Sequence, residues 1–80
     1  MHLKVGGLYK TRNGKFYKIT GRTPINMYSI DIEKFPFIGV PLEDSTTYDY
    51  FTTTGRYTLY KARHNLDLIK EIDPKELEIL

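Results

Sequence analysis

The sequence predicts an all-β fold, either a small SH3-like barrel or a strongly bent antiparallel sheet of five to six short strands. At most one helical turn is expected, at the C-terminal end. Three observations carry this expectation. Short runs rich in Tyr, Phe, Ile and Thr recur along the chain. Turn residues (Gly, Pro, Asn) punctuate those runs. Only one helix-start signature is present, at Asp73-Pro74-Lys75-Glu76. Residues 1–80 make one small domain, and that size sits near the lower end of what folds without a staple.

Gly6-Gly7 introduces Leu8-Tyr9-Lys10-Thr11-Arg12, followed by Asn13-Gly14 and then Lys15-Phe16-Tyr17-Lys18-Ile19-Thr20. Asn-Gly between aromatic and β-branched residues signals a two-residue hairpin turn, whose central residues both need positive φ. A two-residue loop sets the register: Arg12 opposite Lys15, Thr11 opposite Phe16, Lys10 opposite Tyr17, Tyr9 opposite Lys18 and Leu8 opposite Ile19. One face then carries Lys10, Arg12, Lys15 and Tyr17 near the tip, above Leu8 and Ile19. The other carries Tyr9, Thr11, Phe16 and Lys18.

Gly21 to Pro24 reads as a loop, and the loose alternation from Ile25 to Ile32 as a strand. Phe35 to Leu42 is the most apolar stretch, but Pro36 and Pro41 each remove a backbone donor, which predicts an edge strand with a break or bulge. Glu43 to Thr47 is a polar loop. Tyr48 to Thr53 reads as a strand, turned at Thr54-Gly55 into Arg56 to Tyr60 as a second hairpin. Ala62 to Asn65 connects to a last strand, Leu66 to Ile72. Asp73 then has the place of an N-cap, Pro74 of the first helical residue, and Glu76 follows three positions after the cap.

Charge is distributed more tellingly than its sum. The net charge is only +2, yet residues 1–30 contain six basic side chains (Lys4, Lys10, Arg12, Lys15, Lys18, Arg22) and no Asp or Glu. Residues 31–51 hold five acids against Lys34 alone, residues 52–66 return to positive, and residues 67–80 again hold five acids. Such blocks suit separated surface patches, or subunits that dock basic on acidic. A one-signed hairpin is mildly self-repelling across its strands, which points to an anion as its partner.

Two stretches have parts for an anion. In the hairpin, Arg12 can grip a phosphate through two parallel hydrogen bonds, Lys10 and Lys15 supply point charges, and Tyr17 offers a ring for stacking. In Thr52-Thr53-Thr54-Gly55-Arg56-Tyr57, Thr54, Arg56 and Tyr57 bring a hydroxyl, a cation and a ring to a turn. The glycine spacing and Lys-Ser/Thr ending of a Walker loop are absent. Against these stand plainer readings, in which the lysines solvate an exposed hairpin and the threonines are strand residues.

Little points to catalysis. There is no cysteine, and neither Ser29 nor Ser45 sits in a nucleophile setting. His64, Asp67 and Glu71 would be scattered across strand faces, so no metal or other cofactor is expected. Asp67, between Leu66 and Leu68, is expected to bond a neighbouring backbone or face water. Glu43 and Asp44 lie in a loop without apolar neighbours to separate their pKa values. The expectation is a binding protein, not an enzyme. No segment is apolar and long enough to cross a membrane. No signal peptide is visible, so a cytoplasmic location is expected.

Gly6-Gly7-Leu8-Tyr9-Lys10-Thr11-Arg12-Asn13-Gly14, Phe35-Pro36-Phe37-Ile38-Gly39, Thr54-Gly55-Arg56-Tyr57 and Leu66-Asp67-Leu68-Ile69 together resemble a class of short accessory proteins frequent in bacteriophage genomes. The resemblance implies a small β-fold in an infected cell and brings no catalytic residues with it. Small phage proteins of this kind often act against host defences, and some resemble oligomeric sponges that bind a nucleotide immune signal. The leading expectation is therefore a homo-oligomer that sequesters a small anionic ligand, a cyclic nucleotide or related signal. The alternative is an SH3-like adaptor for a host or phage protein, or for single-stranded nucleic acid, with the Phe35-Pro36-Phe37 edge as the protein contact.

Overall fold

A computed structural model describes residues 1–24 and 33–78. The chain forms β1 (Leu8–Thr11), β2 (Phe16–Arg22), β3 (Phe37–Pro41), β4 (Asp49–Phe51), β5 (Leu68–Ile72) and a short α1 (Pro74–Glu78). All strand pairs are antiparallel, in the order β4-β3-β2-β1-β5. This is the open antiparallel-sheet form of the expected all-β fold, and among the described residues the sheet does not close into a barrel. The strand expected over 25–32 lies outside the described residues.

The hairpin forms with a register one residue away from the expected one. Leu8 faces Lys18, Tyr9 faces Tyr17 and Lys10 faces Phe16. The loop therefore has three residues, Arg12-Asn13-Gly14. Only Gly14 has positive φ, at 92°, so Asn13 does not adopt the conformation a two-residue turn requires. The Gly14 amide donates to the Thr11 carbonyl at 3.0 Å, and the Thr11 amide donates to the Lys15 carbonyl at 2.7 Å. This is a type I turn closed by a glycine bulge.

A one-residue shift exchanges which partners share a face. Tyr9 and Tyr17 now lie together on the inner face with Thr11 and Ile19, all nearly inaccessible to solvent. Leu3, Phe37, Phe51 and Leu68 complete this core, and Tyr57 packs against it. The Tyr17 and Phe51 rings meet edge to face at 5.3 Å. Burying each such ring contributes roughly 1.5–3 kcal/mol, which is how so short a chain stabilises one core. Gly39 makes room for it, since a Cβ there would stand 3.0 Å from the Phe51 ring and 3.2 Å from Ile19.

Three further expectations are corrected. β2 continues through Gly21 and Arg22 instead of ending in a loop. A register shift between Ile19 and Gly21 absorbs one residue, and Arg22 then pairs with Phe37. The Arg22 guanidinium lies 4.4 Å from the Phe37 ring centroid and anchors that end. β3 is an interior strand, not an edge. Pro36 falls just before it and Pro41 at its last position, so the missing donors lie at its ends.

Residues 56–60 form no strand. The Tyr57 amide donates to Asp67 at 2.9 Å, while the Arg56 guanidinium donates to the Tyr60 and Ala62 carbonyls. Side chains thus satisfy backbone groups that a ladder would have used. The helix start is as expected: the Asp73 carboxylate accepts the Lys75 amide at 2.9 Å as an N-cap.

Candidate functional site

The two stretches singled out in the sequence prove to be the same turn built twice. Thr11-Arg12-Asn13-Gly14-Lys15 and Thr52-Thr53-Thr54-Gly55-Arg56 share the hydrogen bonds that close the turn. In each, the glycine amide donates to the carbonyl of the leading threonine at 3.0 Å. The residue after the glycine donates its amide to that threonine's hydroxyl, at 2.8 Å for Lys15 and 2.9 Å for Arg56. The glycine φ angles are 92° and 95°. The Thr11 hydroxyl donates onward to the Asn13 carboxamide oxygen, and the Thr52 and Thr54 hydroxyls stand 3.4 Å apart.

The two turns converge on Asp67. Its carbonyl accepts the Arg12 amide at 2.9 Å, and the following Leu68 amide donates to Gly55 at 2.8 Å. The Asp67 carboxylate is almost wholly buried. It accepts the Tyr57 amide at 2.9 Å and the His64 amide at 3.0 Å, and Arg12 Nη2 stands 3.6 Å from it. Burial by itself would push this carboxyl up. The two amide bonds and the charges of Arg56 and Arg12 outweigh burial and hold it below the ordinary Asp value. The expected backbone role of Asp67 is what the structure shows.

The other expected ligand residues are also engaged within the chain. Lys15 pairs with Glu43 at 3.3 Å. Tyr17 is buried and its hydroxyl donates to Asp49 at 2.7 Å, so its ring has no face to offer a base. The stacking role expected of Tyr17 is therefore withdrawn. Burial, then the Asp49 bond and charge, push its phenol well above the usual tyrosine range. Tyr57 stacks on His64 at 4.5 Å, and His64 Nδ1 accepts the Leu66 amide at 3.0 Å. Thr54 is exposed at the second turn.

Lys10 is the exception, and it belongs to a different surface. On the outer face of the sheet Lys10 stands opposite Lys70 on β5 and opposite Phe16 on β2, while Leu8 stands opposite Lys18. The Lys10 ammonium lies 5.9 Å from the Phe16 ring centroid. A cleft of about 210 Å³ opens there, lined by Lys10, Phe16, Lys70, Ile72, Glu76 and Leu77. Glu76 reaches Lys70 only at 4.0 Å, and Lys18 makes no ion pair among the described residues.

Phe16, Lys18 and Lys70 escaped sequence reasoning because the two-residue loop put Phe16 and Lys18 on the face away from Lys10. The signal that finds them is the period of two in Leu8/Lys10, Phe16/Lys18 and Lys70/Ile72, read with the three-residue loop. The repeated Thr-x-x-Gly-basic pattern would have revealed the paired turns.

Among the described residues no three His, Asp or Glu side chains converge on a point where they could hold a metal, and no helix is long and apolar enough to cross a membrane. The chain matches no protein-family model, no curated protein and no solved structure.

Proposed function

We propose that this chain is a non-enzymatic binding protein that sequesters a small nucleotide-derived anion on the outer face of its sheet. The observation that carries the reading is the opposition of Lys10 and Lys70 beside Phe16. Like charges directly opposite one another destabilise a sheet, and a bound phosphate between them reverses that sign. Phe16 supplies a ring next to those cations, which is the combination a nucleotide recognises. Lys18, two residues from Phe16 on the same face, adds a third charge.

This reading moves the anion site from the hairpin tip to the sheet face. Arg12 and Arg56 then serve the scaffold, through the Asp67 carboxylate and loop carbonyls. An anti-defence role in an infected cell, as a self-associating sponge for an immune signal, is the biological form of the proposal that the phage-like segments favour. Isothermal titration against cyclic di- and trinucleotides and NAD-derived signals tests it. Binding that is lost in Lys18→Glu and Phe16→Ala supports the sheet face, and no binding to any of them by folded protein overturns the proposal. Native mass spectrometry of the same samples reports the oligomer.

A second reading rests on the length of that face. Beyond Lys18 it continues through Val40 and Ile38 to Tyr50, each placed there by strand pairing. A diagonal with a ring at both ends suits single-stranded nucleic acid, whose successive bases stack on aromatic side chains. Affinity that falls steeply with added salt, together with weak binding of single nucleotides, distinguishes this reading.

A further inference from the structure

A second cleft, of about 330 Å³, lies beside β4, the terminal strand of the sheet among the described residues. It is lined by Phe35, Tyr48, Asp49, Tyr50 and Tyr57. Four aromatic side chains and one carboxylate make a chemistry opposite to that of the lysine face. The Tyr48 and Tyr50 rings stand 5.6 Å apart at 79° to one another, giving two walls set nearly at right angles. Burial and the neighbouring Tyr48 raise the Tyr50 phenol above its ordinary value.

Asp49 is half buried, and one of its oxygens accepts the Tyr17 hydroxyl at 2.7 Å. No Lys or Arg of the described residues pairs with it. Residues 25–32 and 79–80 contain no Lys or Arg that could do so. Asp49 thus adds an acidic group to an aromatic lining, and no Lys or Arg of the described residues is paired with it. We propose that this cleft binds a methylated alkylammonium group.

The chemistry favours methylated nitrogen over a primary ammonium. An ammonium held on aromatic faces is attracted by their quadrupoles when it lies within about 6 Å of the ring centroids. A primary ammonium has three N–H donors and gives up strongly held water for all three on entering a mostly aromatic lining. A trimethylammonium has no donors, is weakly hydrated, and presents methyl groups to the rings with its charge toward Asp49. The inference does not rest on the phosphate site at Lys10 and Lys70, which shares no residue with this cleft; Tyr50 alone is common to the cleft and to the longer diagonal.

The test is an NMR titration of the full chain with choline and with its neutral carbon isostere, in which a quaternary carbon replaces the nitrogen. The expected result is saturable shifts of tyrosine ring signals, with choline binding about tenfold tighter than the isostere. Asp49→Asn keeps an acceptor for Tyr17 while removing the charge, and should lose about tenfold in choline affinity. Tyr48→Ala, at an exposed position that the fold does not need, should lose a similar factor, whereas Lys18→Glu should change nothing. Equal binding of choline and isostere would reduce the site to an apolar cleft and overturn the proposal. So would the absence of saturable shifts, or tighter binding of N-acetyl-lysine than of its trimethylated form.

Discussion

Arg12 Nη2 stands 3.6 Å from Oδ2 of Asp67, so the anion that meets the hairpin arginine belongs to the chain itself. The two partners are unequal. The Arg12 side chain is 35% exposed and that of Asp67 only 6%. Half-exposed ion pairs contribute about 0–1 kcal/mol, whereas buried amides deprived of an acceptor cost about 1–3 kcal/mol each. Arg12→Ala should therefore cost less than about 1 kcal/mol of stability. Asp67→Ala leaves the Tyr57 and His64 amides without their acceptor and should cost about 2–4 kcal/mol. Urea denaturation of both variants checks the ratio, and equal costs would contradict the arrangement.

The same carboxylate sets an acid limit on stability. Asp67 is held below its ordinary value of 3.8 in the fold, so the unfolded chain binds its proton more tightly. Its contribution is present in full above about pH 4 and is lost as pH falls through the lowered folded value. Asp44, lowered by the hydroxyl and then the amide of Thr46, acts in the same direction from an exposed loop. Denaturation midpoints measured from neutral pH downward should fall in this acid window, and Asp67→Asn should flatten the fall.

The paired turns predict unequal costs for one substitution made twice. A Cβ at Gly14 would meet nothing within 4 Å, so Gly14→Ala carries only the strain of φ 92°. That amounts to about 1–2 kcal/mol. At Gly55 the φ is 95°, and the Cβ would also stand 3.0 Å from the Leu68 carbonyl and 3.1 Å from its Cβ. Gly55→Ala should thus cost more, by at least about 1 kcal/mol, because backbone and core must shift together. Thermal unfolding of the two variants gives the comparison directly.

What the sequence revealed, and what it hid, follows from the range of each interaction. The Asp73 cap, the Thr-Gly turn and the strands near Leu8, Phe16 and Tyr48 depend on neighbours a few residues away, and local pattern reached them. The hairpin register goes with bonds that a two-residue turn lacks: the Lys15 amide to the Thr11 hydroxyl within the loop, and the Arg12 and Asn13 amides to the distant Asp67 and Asn65 carbonyls. Choosing wrongly there reassigned Tyr17 and Phe16 together, and the site with them. The lack of a strand over Arg56 to Tyr60 depends on Asp67, ten residues from Tyr57, and no local pattern of Thr and Tyr reports that distant acceptor. Lys70 joins Lys10 only through the pairing of β1 with β5, across almost the whole chain.

Adjacent residues on β2 separate the sheet-face reading from the hairpin-tip one. Phe16 and Tyr17 point to opposite sides, Phe16 beside the Lys10 ammonium and Tyr17 into the core against Phe51. Phe16→Ala removes the ring beside the lysines and should weaken nucleotide binding by about 1–3 kcal/mol, the cost of one lost stacking contact. Tyr17→Phe keeps the core ring and deletes only the hydroxyl bond to Asp49, so it should cost about 1 kcal/mol of stability and leave nucleotide affinity unchanged. Lys18→Glu reverses a charge on the outer face, while Arg12→Ala removes one that Asp67 already balances, so the first should abolish binding and the second should not. Titration of the four variants with whichever nucleotide the wild-type chain retains gives the decisive pattern. Loss confined to Arg12→Ala would return the site to the hairpin tip.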